Sequence, residues 1–124
     1  MANFEEFKVQ RAVFEKLNKF IELGMISPGK IIWTTSPNRF HSAKETALYK
    51  MHGYQKGQPD TVFYTGKGNF AIEFKSKKGS LSKEQIAWKE GFEAMGNEFY
   101  IIEDVESFVK VLYRYGIINE VKIL

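Results

Sequence analysis

Gly57-Gln58-Pro59-Asp60-Thr61-Val62-Phe63-Tyr64-Thr65-Gly66-Lys67-Gly68-Asn69-Phe70-Ala71-Ile72-Glu73-Phe74-Lys75 is the stretch that decides the fold. Thr61–Thr65 and Asn69–Ile72 are rich in β-branched and aromatic residues, and Gly66-Lys67-Gly68 lies between them. That composition predicts strand, turn, strand. A two-residue turn on Gly66-Lys67, with Gly first, sets Thr65 against Gly68. Counting outward by pairs then brings Asp60 directly opposite Glu73. A turn on Lys67-Gly68 brings Lys75 opposite Asp60 instead. Under either register Asp60, Glu73 and Lys75 are close together.

Alternation along a strand puts Glu73 and Lys75 on one face and Phe74 on the other. Two carboxylates on one rung repel and destabilise the hairpin unless a cation lies between them. Magnesium suits such a place. It takes oxygen ligands, keeps several waters, and needs only one or two protein carboxylates beside a substrate phosphate. The backbone carbonyl of Phe74 is a third candidate oxygen. A bound cation lowers the pKa of water and shields charge growing on phosphate. Lys75 is placed to hold that water or to neutralise the phosphate. The alternative is a surface cross-strand ion cluster. Glu-x-Lys alone is weak evidence, but Gly-x-Pro-Asp at hairpin distance favours the chemical reading.

Outward from the hairpin, the chain of 124 residues reads as one domain, with a motif-bearing core over 4–115 and a tail over 116–124. Aromatic residues make up 15% of it and argue against disorder. The net charge of +3 is compatible with nucleic acid without requiring it. There is no cysteine, which excludes disulfides, thiolate metal sites and a cysteine nucleophile. The first residues form a charged amphipathic segment and not a signal peptide, and no apolar run has membrane-spanning length. A cytoplasmic protein of a bacterium or a phage-infected host is expected.

A first helix is predicted over Phe4–Leu23, stopping at Gly24, with Phe7, Phe14, Leu17 and Ile21 as its apolar stripe. Lys30–Thr35 reads as a strand, and a short helix follows, capped at Ser42 and ended by Gly53. After the hairpin, Ser82 caps a helix with the stripe Leu81, Gln85, Trp88, Phe92 and Met95, ending at Gly96. Glu98–Ile102 is a strand, and Val105, Phe108, Val109 and Leu112 mark a last amphipathic helix. Asn119–Leu124 alternates weakly and reads as an edge strand. The order α-β-α-β-β-α-β-α predicts an α/β fold, a mixed sheet flanked by helices.

Gln85 occupies the N3 position of a capping box and also a core-facing slot. Gln10 interrupts the first helix's stripe in the same way, and Glu6 lies one turn before it. Buried amides need partners, so both helices point toward one polar pocket. Arg39, His41, Lys44, Lys56, Lys67, Lys77 and Lys78 fall in or near the loops around the hairpin and could track a phosphate backbone. Any single one is more often a solvated surface residue. His41 and His52 have no metal-ligand spacing.

Taken in order, Glu6-Phe-Lys-Val9-Gln10, Gly53-Tyr-Gln-Lys-Gly57-Gln-Pro59-Asp60, Ala71-Ile72-Glu73-Phe74-Lys75 and Gly79-Ser-Leu81-Ser82-Lys-Glu-Gln85 resemble four motifs of the VRR-NUC family. This family belongs to the PD-(D/E)xK nuclease superfamily, and the likeness is to its short stand-alone phage and bacterial members. It runs from about Glu6 to about Leu112. Phe74 departs from the smaller or aliphatic residues usual at its position, which faces the core.

The resemblance implies a restriction-endonuclease-like fold with Asp60 and Glu73 as metal ligands, Lys75 as the catalytic lysine, and Glu6 and Gln85 completing the site. It implies Mg²⁺-dependent phosphodiester cleavage, with Mn²⁺ able to substitute, and a homodimer acting on branched DNA such as Holliday junctions. A flap- or nick-directed nuclease is the alternative within that class. A non-catalytic DNA-binding module and a structural protein with a surface ion network are the alternatives outside it.

Overall fold

Residues 4–36, 42–77 and 79–119 are described by a computed structural model. The elements follow the expected order: α1 (Phe4–Glu22), β1 (Ile31–Thr35), α2 (Ala43–Met51), β2 (Thr61–Thr65), β3 (Gly68–Phe74), α3 (Lys83–Ala94), β4 (Glu98–Ile102) and α4 (Val105–Arg114). The strands form one mixed sheet in the order β1-β2-β3-β4. β1, β2 and β3 are antiparallel in succession, whereas β4 runs parallel to β3. A parallel neighbour needs a crossover, and α3 supplies it.

The two faces of the sheet are covered differently. On one, Val13, Leu17 and Phe20 of α1 and Phe108, Val111 and Leu112 of α4 pack against Phe63, Phe70, Ile72, Phe74 and Ile102. Phe63 is the hub of this layer. Its ring lies 4.9 Å from that of Phe70 and 5.6 Å from that of Phe108. Truncating it to alanine would cost about 3–5 kcal/mol. On the other face a smaller cluster joins Ala71 and Phe99 to Phe92 of α3. β3 is therefore covered on both faces, and its last five residues are all buried. Glu73 is one of them.

The turn on Gly66-Lys67 sets the predicted register, Thr65 against Gly68 and Thr61 against Ile72. Its conformation differs from the mirror-image turn that a leading glycine suggests. Gly66 has no positive φ, and Gly68 takes it instead at 132°. The Thr65 hydroxyl holds the turn, donating to the Gly68 carbonyl at 2.7 Å and accepting from the Lys67 amide at 3.1 Å.

Other boundaries moved little, but two stripes shifted. In α1 the buried line is Val13, Leu17 and Phe20, while Ile21 is 40% exposed. A heptad count drifts by roughly 20° per heptad from the true helical period, so the far end of the counted stripe turns toward solvent. In α3 Met95, at the C-cap, is 75% exposed, so that stripe ends at Phe92. α4 begins with a cap that sequence reading missed, Asp104, which accepts from the Ser107 amide at 2.8 Å. The edge strand expected over Asn119–Leu124 falls, after Asn119, outside the described residues.

Candidate active site

The hairpin register carries on one rung past Thr61 and Ile72, which sets Asp60 against Glu73. There the backbone ladder is replaced by side chains. The Phe74 amide donates to Asp60 Oδ2 at 2.8 Å, and the Asp60 amide donates to Glu73 Oε1 at 3.3 Å. Each carboxylate thus satisfies the strand end that carries the other. Pro59 precedes them, fully buried and without an N–H to lose. A residue's N–H and C=O point to the same edge of a strand, so the Phe74 carbonyl turns toward Asp60 as well.

Electrostatically the rung is unbalanced. The Glu73 carboxyl is pushed up to about 8 from an ordinary 4.5, first by burial and next by the charge of Asp60. Lys75 opposes this shift, with Nζ 3.9 Å from Glu73 Oε2. That distance gives Coulomb attraction without a hydrogen bond. The lysine is largely enclosed, its side chain 12% exposed, and its own amide is fixed by the Ile102 carbonyl at 3.1 Å. An ammonium held this way is poised beside the carboxylates without neutralising them.

Gln85 has both roles that its position suggested. Its Oε1 accepts from the Ser82 amide at 2.8 Å, closing the capping box. Its Nε2 then points at Glu73 and donates to Oε2 at 3.0 Å. Because one end of the amide is committed to the helix cap, the other end is oriented for Glu73. Glu6 also reaches this region. Its Oε1 and the Lys75 side chain both crowd Gly79, lying 3.3 Å and 3.2 Å from where a Cβ there would stand. Gln10 is half-buried and makes no side-chain hydrogen bond to the cluster among the described residues.

The loop that carries Asp60 is clamped to the start of α3. Gly57, at φ 87°, approaches so closely that a Cβ would lie 2.3 Å from the Glu84 carbonyl oxygen. Lys56 pairs with Glu84 at 3.3 Å, and the Trp88 indole donates to Gln55 at 3.3 Å. On the other side Gln58 donates to the Ser36 hydroxyl at 2.6 Å. Asp60 and Gln85 are thereby held in one rigid frame. Sequence reading recorded Gly57 only as part of a motif, because its contact partner lies on a different element. It also passed over Tyr54, whose phenol is raised by burial and then by the charge of Glu73, and so lies in the field of the site.

The proposed phosphate-tracking residues are more scattered. Lys44 on α2 and Lys77 are exposed, and Lys56 is engaged by Glu84. Lys67 sits at the opposite end of the hairpin from Asp60, against Gly116. Arg39, His41 and Lys78 lie outside the described residues.

No protein-family model matches the chain, and no curated protein matches it. A solved structure described as a VRR_NUC domain protein is similar to it with a TM-score of 0.69 and 19% identity, over 93% of this chain and 90% of that one. The chain has the same mixed α/β, restriction-endonuclease-like architecture. At this identity the likeness is one of fold, and it agrees with the resemblance carried by the four motifs.

Proposed function

We propose that this chain is a VRR-NUC-type nuclease domain, a divalent-cation-dependent deoxyribonuclease that hydrolyses phosphodiester bonds in branched DNA. The observation that carries the reading is the Asp60–Glu73 rung, two carboxylates facing each other at the end of a hairpin with one of them buried. Such a rung asks for positive charge, and without it burial and the charge of Asp60 push the Glu73 carboxyl up. The donors are hard oxygens: Asp60, Glu73 and the Phe74 carbonyl. Among the described residues no group of three or more His, Cys, Asp and Glu side chains could hold a metal. That donor set suits Mg²⁺, which keeps waters of its own, better than a cation needing a full protein cage. Bound there, Mg²⁺ or Mn²⁺ would supply an acidified water and charge stabilisation at the phosphate.

The remaining work falls to the side chains. Lys75 offers its ammonium to the attacking water or to a non-bridging phosphate oxygen, where charge develops in the transition state. Gln85 fixes the rotamer of Glu73 through the helix cap. Glu6, against Gly79, closes the side of the site beyond Lys75. Lys77 and Lys44 would contribute counter-charge for the flanking phosphates. Two copies of the chain would place two such sites on a symmetric junction. Among the described residues no helix is long and apolar enough to cross a membrane.

The test is cleavage of a labelled immobile four-way junction in Mg²⁺ or Mn²⁺, beside matched duplex and flap DNA, with Lys75→Ala as control. Paired symmetric cuts absent from the variant are expected. Cutting of flap alone would keep the nuclease and discard the resolvase. Tight DNA binding without cleavage of any substrate would replace the enzyme with a binding module.

A further inference from the structure

The face of the sheet that carries Glu73 is covered over only part of its width. Alternation along β3 puts Asn69, Ala71 and Glu73 on that face. The pairings extend the Asn69 rung to Tyr64 and Ile32, and the Ala71 rung to Val62 and Thr34. The cluster under α3 joins Ala71 and Phe99 and ends at Val62. Beyond it Ile32 is 63% exposed and Tyr64 38%, side by side on one rung. Thr34, on the next rung toward the candidate site, is exposed as well.

The size of this apolar pair argues for a small occupant. A stable protein partner covers about 800 Å² per side, and an aromatic side chain buries only about 150–250 Å². A nucleotide base suits a single ring, because every base has a π-face to stack. The position argues for the same occupant. Tyr64 lies four residues along the strand from Asp60, roughly 14 Å, the length of about four stacked nucleotides. β1 and β2 have no charged residue and β3 has only Glu73, so no other carboxylate of these strands repels a phosphate chain on the way. Lys30, which is exposed, directly precedes β1 on the far side of the pair.

We propose that Tyr64 and Ile32 form a platform for an unpaired nucleotide of the DNA strand whose phosphate lies at the Asp60–Glu73 rung. The base stacks on Tyr64 with Ile32 beside it, and the Thr34 hydroxyl meets the intervening backbone. Stacking reads no base edge, and a paired base keeps its faces inside the duplex. The platform therefore selects unpaired strand and not sequence. The inference rests on the nuclease reading and narrows its substrate to DNA with single-stranded nucleotides beside the cut.

The experiment is fluorescence anisotropy of the full chain in EDTA, which separates binding from cleavage. The probes are a labelled oligothymidylate of about eight nucleotides and the same strand made abasic. Wild type should bind the base-bearing strand about tenfold tighter, the scale of one stacked base. Tyr64→Ala should lose most of that preference, and Tyr64→Phe should keep it. On flap DNA in Mg²⁺, Tyr64→Ala should act on KM and not on kcat. If Tyr64→Ala fails to fold, Ile32→Ala makes the same test at a side chain 63% exposed, and it should lower the preference severalfold. The proposal is overturned if wild type binds both strands alike, or if the variants keep the full preference. It is overturned too if Tyr64→Ala weakens a matched blunt duplex as much as the single strand. Sedimentation showing copies that Tyr64→Ala disperses would give the face to a second copy instead. A chain that holds the strand through Tyr64 yet cleaves no DNA would discard the nuclease reading and keep the platform. A chain that cleaves but ignores the bases would do the reverse.

Discussion

Glu73 and Glu98 lie on neighbouring strands near opposite ends of the sheet, and their surroundings are inverted. Glu98 accepts from the Tyr115 hydroxyl at 2.5 Å, from Arg114 at 2.6 Å and from the Tyr100 hydroxyl at 2.8 Å. These donors, Tyr115 foremost, hold its carboxyl below the ordinary range. Glu73 faces another carboxylate across a rung, is buried, and is pushed up to about 8. One glutamate is surrounded by donors and serves the fold. The other is held where its charge is poorly compensated, which fits the metal-ligand role proposed for it. The pair teaches that a carboxylate near a sheet's end is set by its burial together with the donors or charges that face it.

The largest expected contrast is catalytic. Lys75→Ala should lower cleavage by roughly 10³-fold, the scale of losing a charge stabiliser at the reacting phosphate, whereas Arg114→Ala should leave the rate unchanged. Equal losses in a timed cleavage assay would erase the distinction between the two ends. Next comes the frame. Gly57→Ala must move either the Asp60 loop or α3, and a cost of about 2–4 kcal/mol in denaturant unfolding is expected. A wild-type midpoint would mean that the clamp is slack. Gln85→Ala should weaken divalent-cation affinity about tenfold, as loss of a ligand-orienting group does, read by calorimetry in the absence of DNA.

The smallest effects are the sharpest, because they differ in sign. Glu73→Gln should stabilise the metal-free protein near neutral pH, by about 1 kcal/mol or more. Glu98→Gln should destabilise it by about 1 kcal/mol, a figure kept low because that side chain is partly solvated. The pH dependence follows the same signs. A folded pKa raised from 4.5 to about 8 means the native state keeps a proton the unfolded chain has released. The Glu73 contribution is therefore full below 4.5 and is lost as pH rises toward 8. The depressed Glu98 contributes above its ordinary pKa and loses that contribution as the solution becomes acid. Thermal melts of wild type and Glu73→Gln across this window, with and without Mg²⁺, should show a slope that the variant lacks and that the cation flattens.

Much of the Glu73 side of this contrast was legible beforehand, and where it was not the reason is physical. Hairpin pairing is local, so the residues around Gly66-Lys67 narrowed the alignment to two registers, and the structure has the one that sets Thr65 against Gly68. The capping box is local too, and Ser82 and Gln85 disclosed it. Gly57 hid its meaning because the steric reason lies on α3, across the fold. The stripe of α1 slipped because Val13 adjoins Phe14 and Phe20 adjoins Ile21, and only packing against the sheet selects within each apolar pair. The phosphate-tracking set was the least legible. A lysine such as Lys67 reads alike at either end of a hairpin, and the fold puts it at the end away from Asp60.

The rung, the lysine, the cap and most of the clamp are written between Gln55 and Trp88, while Glu6, Ser36 and the Ile102 carbonyl contribute from elsewhere. One hairpin and the start of one helix therefore contain nearly all of the site's information. The rest of the chain needs only to keep apolar residues on the correct sides of a sheet, a requirement that very many sequences satisfy. A domain built this way can drift far in sequence while its architecture stays recognisable, provided one short cassette is left alone.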